Sequence, residues 1–159
     1  MIKKKIFALL LLITTNICFS SYAKNLKGLM PIDVYSKMEK RGFTTESSYI
    51  PDEGDLWINK KTVDGNEYQV LTYSSSGKSS IDTVRGSVMI DPKVKISSTL
   101  PFFIFIASLP YEGSNPKQAE KWIKNNFNKR KATTKIGEAK ITIVAPSIWV
   151  RMMTIEPIN

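Results

Sequence analysis

The chain has 159 residues, with 23 basic and 14 acidic side chains, no histidine and one cysteine, for a net charge of +9. That length suits one domain with a single sizeable core. The missing histidine excludes Ser-His-Asp chemistry and histidine-built zinc sites, and a lone cysteine excludes an internal disulfide.

The N-terminus reads as a secretory leader. "MIKKK" is a charged opening, Ile6 to Phe19 is mostly apolar, and Ser21 and Ala23 put small residues at the −3 and −1 positions of a cleavage site. The apolar part is shorter than the roughly 20 residues a spanning helix needs, and Thr14, Thr15 and Asn16 interrupt it. A lipid anchor at Cys18 is the weaker alternative, because "TNI" before it lacks the usual small residues. The expected organisation is a cleaved leader over 1–23 and one globular domain over 24–159. The mature chain then carries about +6 and no cysteine. Export to the periplasm or beyond disfavours nucleic acid as the partner of this charge.

"LMPIDVYSKMEKRGF" predicts a short helix. Pro31 suits its first turn, Asp33 suits the positive end of the dipole, and Val34, Tyr35 and Met38 form a stripe. Gly42 supplies a left-handed stop, with Phe43 folding back on Met38. From Phe43 to Ile90 the pattern predicts three or four half-buried antiparallel strands. Asp64-Gly65 turns one hairpin, and Val84, Gly86, Val88 and Ile90 share a face. Leu100 to Leu109 is an apolar run readable as strand or buried helix, with Thr99 and Pro101 favouring helix. Asn115, Pro116 and Gln118 open a further helix, and two strands follow, at about Lys140–Ala145 and Ile148–Glu156, broken at Pro146. Helices and strands are segregated along the chain. The expected fold is therefore α+β, an antiparallel sheet of about five or six strands with two or three helices packed on one face.

"KWIKNNFNKRK", Lys121 to Lys131, places five basic residues among two aromatics, as a single-stranded nucleic-acid platform would. Helical geometry separates them. At about 100° per residue, Trp122, Ile123 and Phe127 fall beside Ala119, while Lys117, Lys121 and Lys124 fall on the far side. The aromatics are expected in the core and the lysines in water, leaving Lys129, Arg130 and Lys131 beyond the helix end for an anionic partner.

Other motifs are weaker. Gly77-Lys78-Ser79 lacks the glycine of a phosphate-binding loop, since Thr72 stands there. Asp52, Glu53 and Asp55 lack the order of a calcium loop and read as an acidic turn. Trp57, Trp149, Tyr49 and Tyr73 suit either a core or a partner-facing role. In "LPYEGSNP", Tyr111 and Glu112 sit in a turn between two helices, a place where binding residues concentrate, although turn chemistry alone explains the Pro and Gly and would let Tyr111 pack down.

No motif assigns a family, a catalytic residue, a cofactor or a metal. The function expected is an exported, non-enzymatic interaction protein of the bacterial envelope, of the inhibitor, immunity or accessory type, with another protein as partner. Its candidate partner-facing residues are Tyr111, Glu112, Lys129, Arg130 and Lys131. Two alternatives are a carboxylate-dependent hydrolase of cell-wall or sugar substrates and a binder of anionic lipid or lipopolysaccharide surfaces.

Overall fold

Turn chemistry organises the chain into hairpins. The computed structural model describes residues 25–50, 54–75 and 80–158. The expected leader, Asp52 and Glu53 of the acidic turn, and Gly77-Lys78-Ser79 lie outside the described residues. Asp64 and Gly65 both adopt positive φ, 51° and 81°, the two-residue turn that matches the right-handed twist of flanking strands. It joins β2 (Gly54–Val63) to β3 (Asn66–Ser74), with β1 (Thr44–Ile50) before them and β4 (Thr83–Met89) after. A second group, β5 (Lys131–Ile136), β6 (Ala139–Ser147) and β7 (Val150–Pro157), closes the order β1-β2-β3-β4-β7-β6-β5, antiparallel throughout.

The fold is α+β, with three α-helices and seven strands among the described residues, slightly more than five or six. The additional strand is β5. Its "KATTKI" is polar and half of its residues are exposed because β5 ends the sheet, where lysines blunt an open edge. Pro146 does not break β6. It falls within a register shift between Val144 and Ser147, where a missing N–H costs no ladder bond. Ile148 and Trp149 form the turn that follows instead of starting β7.

The helices obey their local signals. In α1 (Pro31–Glu39) the Met30 N–H donates to Asp33 Oδ2 at 3.1 Å, satisfying a terminal donor. At its other end Gly42 has φ 77°, and the Gly42 and Phe43 N–H groups donate to Glu39 O and Met38 O. The apolar run resolves as a 3-10 turn (Ile96–Thr99) leading into α2 (Leu100–Ala107). In α3 (Pro116–Asn126) the Gln118 N–H donates to Asn115 Oδ1 at 3.0 Å.

One face of the sheet carries the core. The cross-strand partners Val70, Gly86, Met153 and Ile143 line one level of it, and Val84, Ile155 and Ile141 the next. Against them pack Phe103 and Ile106 of α2, Ala119 and Ile123 of α3, and Val34 and Met38 of α1. Phe127 is buried and Trp122 partly so, whereas Lys117, Lys121 and Lys124 are exposed. The basic helix thus turns its aromatics inward and its lysines to water.

Candidate binding cleft

α1 and the first strands leave space between them. At 1.5 Å per residue, nine-residue α1 is about 14 Å long, whereas ten-residue β2 extends about 33 Å, so α1 covers only part of the sheet corner. Val34 and Met38 face the core. Ile32, Tyr35 and Glu39, at helical spacing, form a second stripe that walls an open cleft of about 480 Å³. The opposite wall comes from the sheet. The register pairs Thr45 with Asn59, Ser47 with Trp57 and Tyr49 with Asp55, which brings Thr45, Ser47, Tyr49, Trp57 and Asp55 to the helix side of β1 and β2. Thr45 Oγ1 donates to Asn59 Oδ1 at 2.8 Å, and Asn59 is fully buried, which fixes that end of the cleft.

The cleft combines three aromatic groups with hydroxyls and two carboxylates, Glu39 on α1 and Asp55 on β2. Trp57 is 6% exposed and serves as a floor, while Tyr49 is 69% exposed and Ile32 45%. Its volume lies within the roughly 300–1,000 Å³ of ligand-binding pockets. β1 also ends the sheet, so its outer side has no strand partner among the described residues. An open edge of this kind can pair with an extended segment of another chain.

The residues expected from sequence to face a partner lie elsewhere. Tyr111 is 3% exposed and belongs to the core, because its loop is tied down on both sides. The Glu112 N–H donates to Lys27 O, and Glu112 O accepts from the Glu138 N–H. The Glu112 side chain is exposed, 4.0 Å from Lys27 Nζ, an ion pair of little energetic weight. Lys129, Arg130 and Lys131 are exposed, with Lys131 opening β5. Glu112 meets the sheet at the β5–β6 turn, and five residues of β5 separate that turn from Lys131, about 16 Å of strand. The structure does not gather the five into one surface. Of the four ambiguous aromatics, Trp57 and Tyr73 are buried, while Tyr49 and Trp149 are exposed.

Burial gives Tyr111 a measurable signature. Its Oη has no hydrogen-bond partner among the described residues, and desolvation pushes its pKa up to about 12 from an ordinary value of 10.0. Below the ordinary value both folded and unfolded chains hold the proton, so no pH dependence arises. Between the two values the unfolded chain releases it and the folded chain does not, so stability falls as pH rises. Wild type should lose on the order of 2 kcal/mol more than Tyr111→Phe across that window, measured by urea unfolding at successive pH values. At neutral pH the phenylalanine variant should be at least as stable, since it removes an unpaired buried hydroxyl. Parallel curves for the two proteins would contradict the burial of this ring.

Among the described residues no group of three or more Asp, Glu, Cys or His side chains is placed to hold a metal ion. No described helix is long and apolar enough to cross a membrane. Comparison of the chain with protein-family models, curated proteins and solved structures finds no match.

Proposed function

We propose that this chain is an exported, non-enzymatic binding protein of the bacterial envelope that holds a protein partner at the β1 edge and its cleft. The charged, apolar and small-residue regions of positions 1–23 support export. The observation that carries the binding role is the juxtaposition of an open sheet edge with a 480 Å³ cleft whose rim exposes Tyr49 and Ile32. An extended segment adding to β1 would gain main-chain hydrogen bonds from the edge, and its alternate side chains would enter the cleft. Inhibitor, immunity and accessory roles are all compatible with such a surface.

Co-purification from envelope extract tests this. Wild type should recover a discrete partner that Tyr49→Ala and Ser47→Lys each recover at about a tenth of the amount or less, given the energetic weight of exposed aromatic anchors. Equal recovery by all three proteins would contradict the site.

A second reading rests on one observation, that Glu39 and Asp55 line the same cleft. A sugar hydrolase uses two carboxylates about 5–10 Å apart, one on each side of the scissile bond. This reading predicts release of fragments from cell-wall glycan that stops in both Glu39→Gln and Asp55→Asn. Absence of such release by wild type would remove it.

A further inference from the structure

The face of α2 away from α3 bounds a second cavity, separate from the β1 cleft and of opposite electrostatic character. It is about 320 Å³ and is lined by Arg41 and Lys61 together with Phe43, Phe102, Phe105 and Val63. Among the described residues no carboxylate contributes to its lining.

The two cations are held in place. The Arg41 guanidinium stacks 3.7 Å from the centre of the Phe105 ring, and its Nη1 donates to Lys37 O at 3.2 Å. Lys61 Nζ donates to the main-chain oxygen of Arg41 itself and lies 5.8 Å from the centre of the Phe43 ring. Neither cation forms an ion pair with a described residue. Arg41 has five N–H donors and Lys61 three, so most of their donor capacity stays open. Behind them Phe43 and Phe102 stack at 6.2 Å, and Tyr68 meets Phe102 edge-on at 5.2 Å, forming a continuous aromatic wall.

Two positive charges lining one apolar cavity repel each other, and an anion held there would relieve that repulsion. An anion alone would leave the aromatic wall wet. A hydrocarbon alone would leave the cations unused. We infer that this cavity binds a free amphipathic anion, with its carboxylate-type head on Arg41 and Lys61 and its apolar body along Phe43, Phe102 and Phe105. The site is independent of the β1 cleft and stands or falls separately from it.

Dodecanoate, kept below the concentration at which it forms micelles, is the probe. Titration calorimetry should show saturable binding by the full protein. Acetate has the head without the tail and dodecyltrimethylammonium has the tail with the opposite charge, so both should bind about tenfold more weakly or worse. The double variant Arg41→Gln/Lys61→Gln should lose about tenfold or more in dodecanoate affinity, whereas Tyr49→Ala should leave it unchanged. Arg41 is exposed and Lys61 half-exposed, so the double variant should keep its fold, and a far-UV spectrum checks this. Equal binding of dodecyltrimethylammonium would overturn the assignment in favour of a plain apolar patch. Equal binding by the double variant would overturn the role of the two cations. Sedimentation with phosphatidylglycerol vesicles without any binding of monomeric dodecanoate would overturn the free-ligand assignment in favour of a membrane surface.

Discussion

Replacing Gly137 with alanine should destabilise the protein by about 2–5 kcal/mol, among the largest losses available from adding one methyl group. Gly137 turns the β5–β6 hairpin at φ 57°, a conformation that already disfavours an L side chain. The added Cβ would also have no room. It would stand 2.3 Å from the Gly113 carbonyl oxygen and 2.7 Å from that of Glu112, both main-chain atoms that a rotamer change cannot move. Here the loop between α2 and α3 touches the sheet backbone to backbone, and the Glu138 N–H donates to Glu112 O at 3.2 Å. The substitution therefore separates the helical layer from one end of the sheet. Urea unfolding should show a lower midpoint with an unchanged slope, and a midpoint within error of wild type would contradict this packing.

The second large effect is expected at Phe103. It is fully buried on the sheet-facing side of α2, with Phe102 at 5.1 Å and Phe127 at 5.8 Å between ring centres. Through Phe127 it ties α2 to the end of α3. Truncation to alanine removes its burial and leaves a cavity that three separate elements would have to move to fill. The expected cost is about 3–5 kcal/mol. Because α2 is only eight residues long, it depends on packing more than on helix propensity. Phe103→Leu, which keeps most of the apolar volume, should recover more than half of the loss. A small cost for Phe103→Ala in the same unfolding assay would contradict the central place of this ring.

How legible each part was in the sequence depended on how local its cause is. Gly42, the Asp64-Gly65 pair and the Asn115-Pro116-Gln118 start act within a few residues, and each does in the structure what its chemistry demands. The segregation of helices from strands likewise carried the α+β class. β5 escaped notice because "KATTKI" has no apolar face of its own, and its pairing with β6 depends on the turn at Gly137. Leu100 to Leu109 was ambiguous because a helix packed on most sides lacks the polar stripe that reveals periodicity. For Tyr111 the sequence left a partner-facing and a packed-down role both open. Turn composition marks a surface corner, but two main-chain bonds from Lys27 and Glu138 draw this corner against the body of the protein.

The cleft was the least legible feature. Ile32, Tyr35 and Glu39 form an unremarkable stripe until the neighbouring strand is known. Tyr49 and Trp57 could equally have been core residues. Only the register that sets Ser47 opposite Trp57 and Tyr49 opposite Asp55 turns these separate segments into two walls of one space. Register of this kind is a non-local property, fixed by the whole hydrophobic pattern of the sheet. The basic segment Lys129 to Lys131 drew attention because its charge is contiguous in sequence, yet it opens β5, at the opposite end of the strand order from β1.

Photo-crosslinking from single positions in the native compartment tests the binding role most directly. A photoreactive side chain placed at Glu46 or Ser47 on the β1 edge, in turn, should yield adducts with one common protein. The same group at Thr133, on the opposite edge strand β5, should yield none. Adducts of equal strength from Thr133, or no adduct from either β1 position, would contradict a partner held at the β1 edge.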